Sequence, residues 1–288
     1  MDPVIVVHPD DDLQTIFDKA PAGAEIRFPA GVWKQKTVIR IPGLRLVGAG
    51  AEKTTLIFDD YALKKDALGR EYNTFRTWTM AVCAPEVHME GLSIINDALH
   101  PEEKGQEVAL SVYGDNFSMK NCILRSTQDT LFLGPLPPDL IDRYAGFLPD
   151  ELRQVQILHQ RFEHCRIEGT VDFIFGCGEA VFDRCEIRSL RDARDIGFLA
   201  APAHSLSQEK GFLFRSCTLT CENGVSPGSI YLARPWRDYG LCRFENCSYD
   251  IHIAPEGFDR WDGTTRNKTA RFYEIPPVSG RVPWINRA

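Results

Sequence analysis

Three short strings carry side chains for which a protein core has little use. Residues 126–132 read Ser-Thr-Gln-Asp-Thr-Leu-Phe, residues 169–176 read Gly-Thr-Val-Asp-Phe-Ile-Phe-Gly, and residues 231–236 read Tyr-Leu-Ala-Arg-Pro-Trp. Asp172 stands out because it interrupts an apolar β-type run, and acids are disfavoured in strands. Two carboxylates in one site resist double ionisation, so one can keep a proton while the other acts as an anion. A nearby arginine favours the charged form of its neighbour, and Arg234 is the candidate. Each residue also has a plain structural reading. Asp172 can be a solvated acid on an outward face, Asp129 an Asx-type turn after Gln128, and Arg234 a surface arginine stacked on an aromatic ring. No Ser–His pair of comparable quality is present, so serine-triad hydrolysis is not favoured.

Such side chains converge only if the chain between them is regular. One helix is expected near the start, where Leu13, Ile16, Phe17 and Ala20 form a single apolar stripe. Asp10 or Asp11 can cap it, and Pro21-Ala22-Gly23 ends it. Beyond it the helical period vanishes. Short β-type runs follow to about residue 250, each closed by Gly, Pro, Asp or Asn. Five segments repeat one phrase, an aromatic residue followed by polar ones, a cysteine and a β-former; their cysteines are Cys122, Cys165, Cys185, Cys217 and Cys247. Residues 87–94 read as the same phrase with Gly91 in place of the cysteine. Recurring strand–turn–strand units indicate a solenoid, in which like positions stack about 4.8 Å apart. Sandwiches and propellers share the short strands but not the phrase. The repeated cysteines then form an interior ladder of compact hydrophobes. No C-x-x-C pair occurs, so no metal site is expected. No linker divides residues 1–288, which reads as a single domain.

The chain has 288 residues, 33 basic and 40 acidic, for a net charge of −7, with 43% hydrophobic and 25% charged residues. These values exclude a disordered, collagenous or coiled-coil chain. The acidic balance argues against nucleic-acid binding, which needs a basic face. No apolar run approaches the ~18 residues of a membrane span. The apolar run at residues 4–7 is too short, and its start too acidic, for a secretory signal. With an odd count of nine cysteines, free thiols and a cytoplasmic location are expected, or secretion if a leader has been removed.

Two further strings, Gln-Glu-Val-Ala-Leu at residues 106–110 and, more loosely, Thr-Phe-Arg-Thr-Trp-Thr at 74–79, join the first three in order. Together they resemble the pectin methylesterases, and the resemblance runs from residue 31 to about residue 261. It implies a right-handed parallel β-helix, here with a short N-terminal capping helix. It also implies a cofactor-free enzyme that removes methyl esters from polygalacturonate or its oligomers and releases methanol. The sequence leaves the oligomeric state open, and a monomer is expected because helix-poor solenoids are often monomers. By position, Asp172 resembles the nucleophile and Asp129 the general acid that later acts as base. Gln106 and Gln128 resemble the amide donors around the tetrahedral oxyanion, and Arg234 the group that orients Asp172. Trp236 looks like part of the sugar-binding wall, with Thr74 as a further contact. Two other readings of the same solenoid are a glycan lyase or glycosidase and a non-catalytic carbohydrate-binding protein.

The spacing agrees with one shared site. Gln106 and Gln128 are 22 residues apart, about one coil. Asp129 and Asp172 are 43 apart, about twice the family's usual separation. If residues 134–160 are an insertion that leaves the coil, the two aspartates also lie one coil apart, about 5 Å, with Arg234 roughly 10 Å along the stack. That insertion holds four prolines with Leu136, Leu140, Tyr144, Phe147 and Leu148. It is too apolar for a purely solvated loop and is expected to border the cleft and favour short substrates. Trp33 and Gln35 replace a Tyr and a Glu usual in the family; far from the catalytic strings, they should leave activity intact. Arg76, Arg125, Arg161 and Arg237 are candidate partners for uronate carboxylates, and each reads more readily as a solvated surface charge.

Overall fold

Runs of three to six residues closed by turns cannot bury themselves singly, and here they do so by stacking. A computed structural model describes residues 3–98, 105–146, 150–153 and 155–286. Among these, the strands form three parallel sheets of ten, seven and eight strands, and each coil passes from one sheet to the next. The result is a parallel β-helix. Its interior is filled by inward-facing side chains, as expected for parallel sheets covered on the inner face.

Two ladders run through that interior. Phe162, Phe182, Phe214 and Phe244 stack with ring centroids 4.9, 4.7 and 4.5 Å apart, each side chain fully buried. Beside them run Cys122, Cys165, Cys185, Cys217 and Cys247, all unpaired. The residue before each cysteine takes a left-handed backbone, with φ between 50° and 53° at Asn121, His164, Arg184, Ser216 and Asn246. This bend turns the chain from the ten-stranded to the eight-stranded sheet. The register pairs Lys120 with Glu90 and Ile123 with Ser93, so Gly91 corresponds to Asn121 and Leu92 to Cys122. The expectation that Gly91 replaces the cysteine is therefore off by one residue. Glycine serves the bend, at φ 66°, because it lacks the Cβ that makes this region costly.

The helix spans Leu13–Lys19. Its cap is Asp12 rather than Asp10 or Asp11, accepting from the Thr15 amide at 3.2 Å and the Thr15 hydroxyl at 2.7 Å. A cap must immediately precede the first helical residue; Asp11 instead accepts from the His8 amide at 2.7 Å. The helix closes one end of the solenoid. The Gln14 amide donates to the Val38 carbonyl (3.0 Å) and accepts from the Val38 N–H (2.8 Å), pairing the free edge of the seven-stranded sheet. Gln35 accepts from the Leu13 N–H (3.0 Å) and donates to the Asp11 carbonyl (2.7 Å), a double role that a carboxylate cannot fill. Trp33 is fully buried and donates to the His8 carbonyl at 2.8 Å. Both departures from the family pattern therefore belong to the end cap.

The segment between the aspartates leaves the coil. It forms a short helix, Pro138–Arg143, and a helical turn, Asp150–Leu152. Leu136, Leu140 and Leu152 are buried against Phe75, Phe132 and Phe175 on the outside of the seven-stranded sheet. Phe147 and Leu148 lie outside the described residues.

Candidate active site

The seven-stranded sheet runs Thr37–Ile39, Met80–Val82, Leu110–Val112, Leu131–Leu133, Val171–Gly176, Gly197–Pro202 and Ile230–Ala233 in spatial order. Leu131 pairs with Ile174, which sets Asp129 and Asp172 at the same position of adjacent coils. In the pairing of this strand with Gly197–Pro202 the register slips between Val171 and Ile174, across Asp172. This bulge coincides with left-handed backbone at Asp172 (φ 51°), matched by Asp129 (φ 67°). Both carboxylates are thereby turned into the floor of a cleft, 7% and 8% exposed.

The cleft has a volume of about 610 Å³, and all seven residues singled out from the sequence line it: Thr74, Gln106, Gln128, Asp129, Asp172, Arg234 and Trp236. Arg234 reaches across the stack and grips Asp172 with two hydrogen bonds, Nε to one oxygen at 2.8 Å and Nη2 to the other at 2.6 Å. Its guanidinium is sandwiched between Phe198 and Trp261, 3.8 and 4.1 Å from the two ring centroids. The arginine is thus stacked, though on these rings rather than on Trp236, and it faces a buried acid rather than solvent.

Electrostatics separates the two acids. Burial pushes both carboxyls up from the usual range. For Asp172 the paired hydrogen bonds and charge of Arg234 oppose that shift. Asp129 stands well above the usual range, through burial and then through the negative charge of Asp172. Asp172 is therefore the first to ionise and Asp129 the one that keeps its proton.

Sequence reasoning missed Arg194. It lies in the charged run Arg191–Asp195, which reads as a solvated loop. In the structure it is held bidentately by Asp192 (2.7 and 2.6 Å) and donates to the amide oxygen of Gln128 at 3.1 Å. That contact fixes the amide, leaving its nitrogen to donate toward Asp129. Trp261 and Phe198 were also missed as partners of Arg234. No local signal marks either; they meet the arginine only through coil stacking.

Of the four arginines considered for uronate binding, only Arg237 lines the cleft. It stacks on Trp236 at 4.8 Å and pairs bidentately with Asp139 of the insertion at 3.1 and 2.7 Å. Arg125 lies on the eight-stranded sheet beside Glu168, and Arg161 on the ten-stranded sheet beside Glu163. Both are near the motifs in sequence but on other faces. Arg76 donates to the carbonyls of Glu71 and Tyr72, bracing its own loop. A second hollow of about 640 Å³ lies outside the ten-stranded sheet, among His159, Arg161, Glu179 and Arg243. It gathers exposed charges of both signs and no buried acid pair, so the chemistry is assigned to the smaller cleft.

Residues 11–134 and 150–283 match the family model described as Pectinesterase. The chain belongs to the pectinesterase family. The unmatched gap between the two segments falls within the insertion. The chain is 29% identical over 291 residues to Pectinesterase 31 of Arabidopsis thaliana, covering 94% of this chain and 82% of that protein. It is 27% identical to Pectinesterase QRT1 of the same plant, covering 88% of this chain and 63% of that protein. In fold it matches pectin methylesterase from carrot, with a TM-score of 0.78, 23% identity and coverage of 99% and 88%. It also matches PemA from Erwinia chrysanthemi, with a TM-score of 0.79, 24% identity and coverage of 97% and 91%. A further match, with a TM-score of 0.80, 24% identity and coverage of 95% and 88%, is a pectin methylesterase solved with a hexasaccharide. Among the described residues, no helix is long and apolar enough to cross a membrane.

Proposed function

We propose that this chain hydrolyses methyl esters of galacturonate units through an acyl intermediate on Asp172. The ionised Asp172, oriented by Arg234, attacks the ester carbonyl carbon. Negative charge moves to the carbonyl oxygen, where the amides of Gln106 and Gln128 can donate to it; such donors are typically worth about 2.7–4 kcal/mol each in the transition state. Asp129 gives its proton to the leaving methoxide, which departs as methanol. Asp129, now ionised, takes a proton from water as the water attacks the acyl carbon; the bond to Asp172 breaks, Asp172 leaves as a carboxylate, and the product acid gives its remaining proton to solvent. No step calls for a group beyond these side chains. Trp236 and Thr74 offer an aromatic face and a hydroxyl to the sugar chain.

The observation that carries this reading is the paired grip of Arg234 on Asp172, with Asp129 buried one coil away and its carboxyl pushed well above the usual range by burial and by the charge of Asp172. The same acid pair also suits a retaining glycosidase. Amide donors beside the acids favour acyl chemistry, and the products decide. An assay of methanol and of new reducing ends on methylated pectin should give methanol alone; chain cleavage without methanol contradicts the esterase reading.

The same proposal extends to substrate length. The insertion contributes Asp139, Leu140, Arg143 and Tyr144 to the cleft wall, and Asp139 is fastened to Arg237 beneath Trp236. A wall at this place limits how much polymer can lie across the aspartates, so short methylated oligomers are the favoured substrates. Replacing residues 135–159 by a short Gly-Ser turn should shift kcat/KM toward polymer. An unchanged oligomer-to-polymer ratio in a folded, active variant removes that role from the insertion.

A further inference from the structure

Away from the cleft, at the last coil of the eight-stranded sheet, three side chains of different chemistry meet. Cys221 ends the strand Thr218–Cys221. Asp250 and His252 lie just after Ser248–Tyr249, the terminal strand of that sheet. A thiol sulfur, a carboxylate oxygen and an imidazole nitrogen all lie within 4.8 Å of one another. Cys221 is not part of the cysteine ladder, so its place is not explained by the interior packing that accounts for the five ladder cysteines.

His252 makes this cluster more than a coincidence of polar groups. The residue is fully buried, yet neither ring nitrogen has a hydrogen-bond partner among the described residues. A buried polar group without a partner is costly. The backbone around it, by contrast, is well tied. The His252 carbonyl accepts from Ile230 at 3.0 Å, and the Ala254 N–H donates to Ile230 at 2.8 Å. The backbone that carries the ring is therefore fixed, while both ring nitrogens lack a partner among the described residues.

We propose that Cys221, Asp250 and His252 bind one zinc ion that staples the last two coils of the solenoid. Sulfur, nitrogen and oxygen donors together suit zinc rather than magnesium or calcium, which take oxygen alone. As the metal binds, the Cys221 thiol releases its proton to solvent and the sulfur–metal bond forms. Thiolate and carboxylate then balance the two positive charges of the ion. A tetrahedral centre with bonds of about 2.0–2.3 Å holds its donors roughly 3.5 Å apart, a closure within reach of side-chain rotation at the exposed Asp250 and half-buried Cys221. Water fills the fourth position. The place also fits a staple. The final strand of this sheet has only two residues. The chain beyond it pairs Ala233 with Phe258 and then supplies Trp261, the ring over Arg234.

The test uses the full-length protein stripped of metal and titrated with cobalt, then zinc. One equivalent of cobalt should produce thiolate charge-transfer absorption, displaced by one equivalent of zinc. Zinc at a hundred times its dissociation constant should raise Tm by about 5 °C or more. Cys221→Ser should abolish the charge-transfer band, Cys83→Ser should leave it unchanged, and Asp250→Asn should weaken cobalt binding about tenfold or more. Failure to bind one equivalent overturns the proposal, as does a band that survives Cys221→Ser or is lost equally in Cys83→Ser. If Cys221→Ser does not fold, Asp250→Asn decides, since cobalt affinity equal to wild type in that variant rules the site out.

Discussion

Among the residues with left-handed backbone, two groups differ in what they hold. At the bend between the ten- and eight-stranded sheets it recurs coil after coil, at Asn121, His164, Arg184, Ser216 and Asn246. The side chains there are unrelated, as expected where only the backbone turn matters. On the seven-stranded sheet it marks Asp129 and Asp172, and both side chains are buried acids facing one cleft. Strain that repeats with the coil belongs to the topology, whereas strain confined to two neighbouring coils, with one residue type, belongs to the chemistry.

The contrast sets the order of expected effects. The largest is at Asp172. Asp172→Asn keeps a residue that tolerates the left-handed region but removes the proposed nucleophile, so the circular dichroism spectrum should match wild type while methanol release falls on the order of 10³-fold or more. Retention of a tenth of the activity would remove the nucleophile assignment. Next comes Arg194→Ala, which frees the Gln128 amide to rotate and also removes a positive charge that favours the ionised form of both aspartates. A fall in kcat of roughly ten- to a hundredfold is expected, less than deletion of an oxyanion donor outright. A change confined to KM would mean that Arg194 binds substrate instead of orienting Gln128.

Smaller effects concern stability. The folded-state pKa of Asp129 is raised, so the native protein holds a proton that the unfolded chain releases as pH climbs past the ordinary aspartate value near 3.9. Stability is therefore lost as pH rises from that value toward the folded pKa. Asp129→Asn should resist urea better than wild type at neutral pH, with the advantage fading below about pH 3.9; an advantage equal at all pH values contradicts the raised pKa. At the bend, His164→Gly should stabilise by up to about 1 kcal/mol by relieving the left-handed strain and leave methanol release unchanged. If it destabilises, the bend is held by its side chains and the comparison drawn above fails on that side.

Much of this was legible in the sequence for a physical reason. A solenoid repeats its environment, so the aromatic–polar–cysteine phrase announces both the coil and its inward positions. The acid-bearing strings stand out because they violate that repeat. What stayed hidden depends on stacking rather than on local pattern. Trp261 reaches Arg234 from a distant segment, and Arg194 sits in a run of charges that resembles any solvated loop. Arg125 and Arg161, which read more readily as solvated charges than as substrate partners, show the converse. Each is close to a motif along the chain, but one bend of the coil sends it to another sheet. Gly91 was misplaced by one residue because glycine and cysteine both answer to smallness, and only the register shows which position needs backbone freedom and which needs volume.

The central claim is that one buried aspartate holds a proton while its neighbour, gripped by arginine, does not. Infrared difference titration of the carboxyl stretch measures this directly, comparing wild type with Asp129→Asn and Asp172→Asn. In wild type, a protonated carboxyl band should persist at pH values where an ordinary aspartate is fully ionised. It should vanish in Asp129→Asn, and in Asp172→Asn it should titrate at lower pH, because the neighbouring negative charge is gone. A band that survives in Asp129→Asn and disappears in Asp172→Asn would place the proton on Asp172 and contradict the account.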